Sequence, residues 1–331
     1  MKTIVIYALA ILIICGGTAV AADFTKTGSI GAQFLKIGVG SRYQGLGEAS
    51  VAMVDDAYSL YWNPAGLANL DGSAVTFTNV SWITDISLNY IGVGTRVEGL
   101  GVLGFSAALM SMGEMEVTTV DERDGTGEMF SASSFALTAG YATYLTNRLA
   151  FGASIKYIYE KIYHESAGGM AFDFGTQLNT GFKSLRIGMN ISNLGPEMKF
   201  SGPDLDAEVT VPGGQPVGGN IAVDAYDLPL TFRLGLAFDA FHNVDNRWTL
   251  AAEAKHPNDN DQQASLGTEY SFQEKYFLRA GYKVNYDEQG LTLGGGLRSR
   301  VGENKVFVLD YAWSDFGRLE SIHRFSVGFE F

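Results

Sequence analysis

Carboxylates are the side chains whose spacing in this sequence most invites chemistry. Asp55-Asp56 form an adjacent pair, and acid-rich stretches stand at Asp121–Asp124, Asp204–Glu208 and Asn258–Asp261. Clustered carboxylate and carbonyl oxygens suit calcium, but none of these stretches has EF-hand spacing, so they read as solvated loops. The four histidines, His164, His242, His256 and His323, stand far apart, without His-Glu-x-x-His and without a second histidine at i+4. A metal site is therefore not expected. There is no Gly-x-Ser-x-Gly nucleophile elbow. Gly38-x-Gly40 and Gly45-x-Gly47 lack the strand–helix setting of a dinucleotide fingerprint and read as turns. The expectation is a protein without catalytic groups or cofactor, and not an enzyme.

Asp55 and Asp56 would still need cationic partners if buried, because an unpaired buried charge is costly. Arg186, Arg233, Arg279, Lys283, Arg298 and Arg324 occupy the polar positions of alternating segments and could supply them. Tyr58, Tyr61 and Trp62, close to the acid pair, fit two roles: lining an apolar ligand pocket, or packing their own segment against a wall. For the charged residues, functional lining and structural anchoring both remain open.

The elements that would hold these residues are strands. Leu185, Ile187, Met189 and Ile191 alternate with Arg186, Gly188, Asn190 and Ser192. Tyr276, Leu278, Ala280, Tyr282 and Val284 alternate with Phe277, Arg279, Gly281, Lys283 and Asn285, and the same rhythm marks Leu149–Tyr159 and Leu230–Asp239. Period-two alternation puts one face in lipid and the other toward a polar lumen. About fourteen such strands are expected, and an even count brings both ends of a barrel to one side. They start near Ser73, Ile86, Leu100, Phe130, Arg148, Gly169, Leu185, Leu228, Arg247, Gln263, Lys275, Leu291, Lys305 and Ser321.

Every second connection is short and rich in turn formers: Glu98-Gly99, Thr146-Asn147, Thr180–Ser184, His242–Asn246, Gln273-Glu274 and Gly302–Asn304. The two longest, Ser111–Met129 and Asn193–Asp227, fall in the other class and are expected outside the cell. The last strand turns Phe325, Val327, Phe329 and Phe331 to one face. A terminal aromatic of this kind resembles the signal read by the barrel-assembly machinery, placed here on Phe325, Phe329 and Phe331.

Composition agrees with an exported barrel. The chain has 331 residues, 46% hydrophobic, with 41 Gly, 16 Tyr and 21 Phe. Its mean hydropathy is only +0.06. Lys2, the apolar run Ile4–Cys15 and Ala19-Val20-Ala21 read as a secretory signal peptide over residues 1–21. Cys15, the single cysteine, raises lipidation as an alternative, but bulky Ile14 precedes it and a clean A-x-A site follows. Removing the leader leaves no cysteine and hence no disulfide. After the leader, no apolar run is long enough for a transmembrane helix. A net charge of −13 argues against nucleic acid.

One stretch resists the strand pattern. Gly31–Leu70 suggests a helical turn at Gln33–Ile37, and Pro64 and Gly66 break the chain after Tyr61-Trp62. It precedes the first strand and is expected on the periplasmic side, positioned to fold into the lumen. Its succession FLKIGVGSR, GLGEASVA, DDAYSLYWNPAGLA resembles the PorV/PorQ family of outer-membrane proteins, which is similar to the FadL-type transporters of hydrophobic compounds. The resemblance implies a fourteen-stranded barrel with an N-terminal hatch whose motif is Asn63, Pro64, Ala65 and Gly66. The chain then divides into signal peptide 1–21, hatch 22–72 and outer-membrane barrel 73–331. The resemblance further implies a part in type IX secretion, with secreted cargo proteins and other secretion components as partners beside outer-membrane lipids. The alternative it carries is a channel for a hydrophobic ligand.

Overall fold

A computed structural model of the protein describes residues 28, 30–210, 216–302 and 305–331. The expected signal peptide, with Cys15, lies outside the described residues, as does part of the turn at 302–304. From Ser73 onward the chain is strand after strand: β1 (Ser73–Ser81), β2 (Ser87–Val97), β3 (Gly101–Ser111), β4 (Met115–Glu116), β5 (Met129–Phe130), β6 (Ala132–Tyr144), β7 (Leu149–Ile162), β8 (Glu165–Asn179) and β9 (Arg186–Leu194). Then come β10 (Asp206–Thr210), β11 (Pro216–Asn220), β12 (Thr231–His242), β13 (Asn246–Pro257), β14 (Gln263–Phe272), β15 (Tyr276–Val284), β16 (Leu291–Arg300), β17 (Val306–Asp315) and β18 (Ser321–Glu330).

Fourteen of these strands form one closed antiparallel barrel. Each pairs with its sequence neighbour, and β18 closes on β1 in a register that sets Phe77 opposite Val327. Closure leaves no free edge, which a sheet in lipid requires. The barrel strands begin within a few residues of the expected starts. The difference lies in the loops: β4–β5 and β10–β11 are small separate two-stranded sheets inside the two longest connections. The fold is that of an outer-membrane β-barrel. Among the described residues no helix is long and apolar enough to cross a membrane, as expected where strands do the crossing.

Alternation sorts the side chains. Phe105 is 62% exposed and Leu278 68% on the outer face, with Leu266, Tyr282 and Phe325 in the same belt. Phe329 and Phe331 also point outward at the end of the chain. The short turns, and both ends of the barrel sequence, mark the periplasmic end; the long connections mark the extracellular end.

Residues 30–72 lie inside the strands. A 3-10 turn (Gln33–Lys36), two short helices (Ser41–Gly45 and Ser59–Trp62) and a second 3-10 stretch (Pro64–Asn69) are joined by irregular chain. The segment is not confined to the periplasmic side. Ile30 forms a parallel bridge with Asp227 in the extracellular connection between β9 and β12. Lys36 and Gln33 reach Asp259, between β13 and β14. At the other end Arg96 donates to the carbonyls of Leu70 and Ala68, next to the periplasmic start of β1. The expectation followed the segment's sequence adjacency to β1, which fixes only its last residues. Where it begins is set by contacts far away in sequence, with Glu160, Asp227 and Asp259.

Candidate functional site

The candidate site is the lumen and what fills it. Around the middle and lower barrel, the inward position on ten strands is a glycine: Gly94, Gly104, Gly140, Gly152, Gly175, Gly188, Gly235, Gly267, Gly281 and Gly294. Each lies against the N-terminal segment. A Cβ on Gly188 would come within 2.2 Å of the Val51 carbonyl oxygen, and one on Gly281 within 2.2 Å of the Gly47 nitrogen. On Gly152 it would stand 2.3 Å from the Pro64 carbonyl carbon. At these three, and at Gly267 and Gly294, the nearest segment atoms are backbone, which has no rotamer to move. At Gly94, Gly104, Gly140, Gly175 and Gly235 they are side-chain atoms of Leu70, Leu67, Leu60, Asn63 and Val51. Registers line several of these glycines up across strands, Gly104 with Gly94 and Gly140, Gly152 with Gly175, and Gly188 with Gly235.

Asn63 locks the motif to this girdle. Its side chain accepts from Ala65 N and donates to the carbonyls of Val51 and, across to β8, Thr176. Pro64 opens the 3-10 stretch, where a missing N–H costs nothing. Gly66 admits no Cβ, because the Val54 oxygen would lie 2.4 Å away. Ala65 is fully buried in a cluster with Leu60, Leu67 and Val102.

The aromatics pack. Trp62 is fully buried, donates from Nε1 to the Val39 carbonyl, and lies under the Arg233 guanidinium. Tyr58 stacks on Tyr90 and bonds Thr78 of β1. Tyr61 donates to the Leu35 carbonyl.

The structure brings most of the expected charges to the segment. Arg279 bridges Glu269 at 2.7 Å and Asp310, while Arg42 of the segment joins Glu269 at 3.2 Å and Asp55 at 2.6 Å. Asp56 accepts from Tyr58 N. Arg324, 1% exposed, donates to the Gly38 carbonyl and Ser314. Arg233 lies 3.6 Å from Glu253, whose Oε2 accepts from Ser50 N and Val51 N at 2.9 Å. Lys283 pairs with Glu48 of the segment at 2.6 Å. Arg186 and Arg298 stand apart from this network: they pair with Asp239 and Glu330 at the periplasmic rim. Glu48, Glu253 and Glu269, central to the network, were not singled out from sequence. The readable signal was the excess of inward cations, which requires carboxylates within reach.

Space divides the lumen. A cavity of about 710 Å³ opens at the periplasmic mouth, lined by Asn69, Tyr144, Arg148, Gln177, Arg186 and Arg298 among others. In the extracellular half, the space among Phe34, Leu35, Ile37, Leu60, Tyr90 and Lys156 is about 20 Å³, room for one water. Above it, Tyr226 and Glu160 clasp the start of the segment: Glu160 Oε2 accepts from Ala32 N and the Tyr226 hydroxyl. Burial pushes the Tyr226 hydroxyl above its ordinary pKa, with Glu160 adding to it, so it stays a donor. Among the described residues no three His, Cys, Asp or Glu side chains converge as metal ligands.

A closed barrel with a lipid-facing apolar belt and a filled lumen defines an integral protein of the bacterial outer membrane. The family model for type IX secretion system protein PorV matches residues 21–257, well over half of the chain, and the chain belongs to that family. None of the curated proteins compared is similar to it. Among solved structures it is similar to the Pseudomonas putida toluene transporter TodX, with 15% identity and a TM-score of 0.55, covering 88% of this chain and 97% of that one. The Ralstonia pickettii toluene transporter TbuX follows with 12% identity, TM-score 0.54 and the same coverages. A Pseudomonas aeruginosa FadL homologue gives 10% and 0.53, again over 88% and 97%. At these identities the likeness concerns the fold.

Proposed function

We propose that this protein is a non-enzymatic component of type IX secretion. It receives exported cargo proteins and passes them on at the cell surface, using its external surfaces while its lumen stays closed. The family match carries this reading, since it spans the N-terminal segment and the barrel through β13. The packing of the segment supports it: the space among Phe34, Leu35, Ile37, Tyr90 and Lys156 is about 20 Å³, far less than a polypeptide needs. On this reading residues 22–72 act as a fixed hatch, with Asn63, Pro64, Ala65 and Gly66 as its seat. The cations Arg233, Arg279 and Arg324 anchor it; Arg186 and Arg298 border the periplasmic mouth. The extracellular connections between β3 and β6 and between β9 and β12 are the surfaces offered to cargo and other secretion proteins. Phe325, Phe329 and Phe331 serve recognition by the barrel-assembly machinery.

The second reading, a channel for hydrophobic compounds, draws on the likeness to the two toluene transporters. Deleting the gene and following both activities separates the two. Under the first reading, cargo proteins accumulate unattached or in the periplasm, and uptake of a hydrophobic compound such as toluene is unchanged. Normal cargo display with impaired uptake would replace the first reading with the second.

A further inference from the structure

The periplasmic mouth carries a row of hydrogen-bond donors that the N-terminal segment does not use. The register of β8 and β9 sets Asn179 opposite Arg186, and Asn179 N donates to the Arg148 carbonyl at the start of β7. All three side chains line the mouth cavity of about 710 Å³, a size typical of ligand sites. The Arg148 guanidinium lies over the turn after β8. Its only hydrogen bond among the described residues goes to the Thr180 carbonyl at 3.4 Å. Gly181, at φ +72°, leaves it room, since a Cβ there would stand 2.4 Å from Nη1. Arg186 reaches Asp239 Oδ1 at 3.5 Å, and that oxygen already accepts from Thr249 at 2.7 Å. Asn179 Oδ1 accepts from Gly181 N, which leaves its amide hydrogens as the free edge. The row therefore presents two guanidinium groups with an amide between them, donors throughout.

The other side of the cavity is different. β16, β18 and β1 lie across the barrel from β7–β9. There Arg298 is already paired with Glu330, and Asp71 adds negative charge. A ligand with anionic groups all round would be repelled from that side, so the cavity suits one whose carboxylates share a face. Neighbouring strands are about 4.8 Å apart, which puts Arg148 and Arg186, on β7 and β9, about 10 Å from each other along the rim. A polyproline-II chain has three residues per turn and rises about 3.1 Å per residue, so carboxylates at i and i+3 share a face about 9 Å apart. Each would meet one guanidinium in a charge-assisted pair, and the Asn179 amide would donate to a peptide carbonyl between them. A single phosphate has one anionic centre and does not span the row. We propose that Arg148, Asn179 and Arg186 dock an acidic segment of a periplasmic polypeptide, an extended chain with carboxylates three residues apart. This site is separate from the extracellular surfaces offered to cargo and does not depend on the secretion role.

The probe is a fluorescently labelled peptide, Glu-Pro-Pro-Glu with blocked ends, whose prolines hold the polyproline-II form. It is titrated against the purified full chain in zwitterionic micelles at low salt and followed by fluorescence anisotropy. Saturable binding is expected, with none for the Gln-Pro-Pro-Gln peptide. Binding should weaken about fivefold in Arg148→Gln and again in Arg186→Gln. It should stay unchanged in Lys275→Gln, which removes an exposed cation of the β14–β15 turn. Heat-modifiable gel mobility shows that each variant is folded, and the comparison of the two peptides on the unsubstituted protein needs no variant. Equal behaviour of the two peptides would overturn the proposal, as would a loss in Lys275→Gln as large as in the arginine variants. Inorganic phosphate is the competitor. Displacement of the peptide by phosphate at the peptide's own concentration would mean that the row reads single anions, and would overturn the polypeptide as its occupant.

Discussion

The two halves of the N-terminal segment are held in different ways. From Gly45 to Leu70 the chain presses on a girdle of wall glycines, and many of the close approaches are to main-chain atoms. From Ile30 to Val39, apart from the main-chain bridge at Ile30 and Gly31, it is held by side chains. Phe34, Leu35 and Ile37 pack among Leu88, Ala136 and Ile158, and Lys36 and Gln33 reach Asp259. A contact made by main chain against glycine has no side chain to rearrange. One made by rotatable side chains can be loosened by a single substitution. The lower half is therefore part of the barrel's construction, and the upper half is a cover attached to it.

The largest effect is expected where a wall glycine is filled. Gly188→Leu would drive a side chain into the Val51 carbonyl, and the barrel should fail to close around its segment. Gly188→Ala already overpacks the seat and should cost about 1–3 kcal/mol. Heat-modifiable mobility and denaturant unfolding of protein from outer membranes check both. If Gly188→Leu assembles normally, the seat is not rigid.

Next comes the charged lock. Lys283→Met leaves Glu48 buried with Gln44 as its remaining partner. Removing one member of a buried pair costs about 3–5 kcal/mol, seen as a lower denaturant midpoint. An unchanged midpoint would mean that water reaches Glu48.

The smallest effect belongs to the cover. Lys36→Ala breaks a pair whose lysine is a quarter exposed, so about 0–1 kcal/mol is expected. Burial works against the Asp259 carboxylate, but hydrogen bonds from Lys36 and Gln33 outweigh it and hold its pKa below the ordinary 3.8. A depressed carboxylate stabilises the folded form above its unfolded value and loses that contribution as pH falls. Protease sensitivity around Ile30–Ile37 should therefore rise only below about pH 3.8 in the native protein. In Lys36→Ala it should change less across that range.

The barrel itself was legible because alternation and turn chemistry are local. Arg186 to Ser192 shows its two faces without any knowledge of its neighbours. The β4–β5 and β10–β11 sheets were not legible: strands of two and five residues are too short to show a period. Asn63-Pro64-Ala65-Gly66 announced a break in the chain, yet nothing local shows what it sits against. Gly152, Gly188, Gly235 and Gly281 were visible on the polar side of their strands. Their meaning depends on Val51, Gly47 and Pro64 arriving from far away in sequence. The start of the segment was misplaced for the same reason, because Asp227, Asp259 and Glu160 decide it.

Amide hydrogen exchange of the purified protein in a lipid-like micelle tests the division of the segment most directly. Amides between Met53 and Gly66 should exchange as slowly as those at the centre of the barrel strands. Those between Gly31 and Ile37 should exchange measurably faster, and faster still in Lys36→Ala. Exchange equally fast along the whole segment, with the strands protected, would contradict a seated hatch and make the lumen a passage that opens.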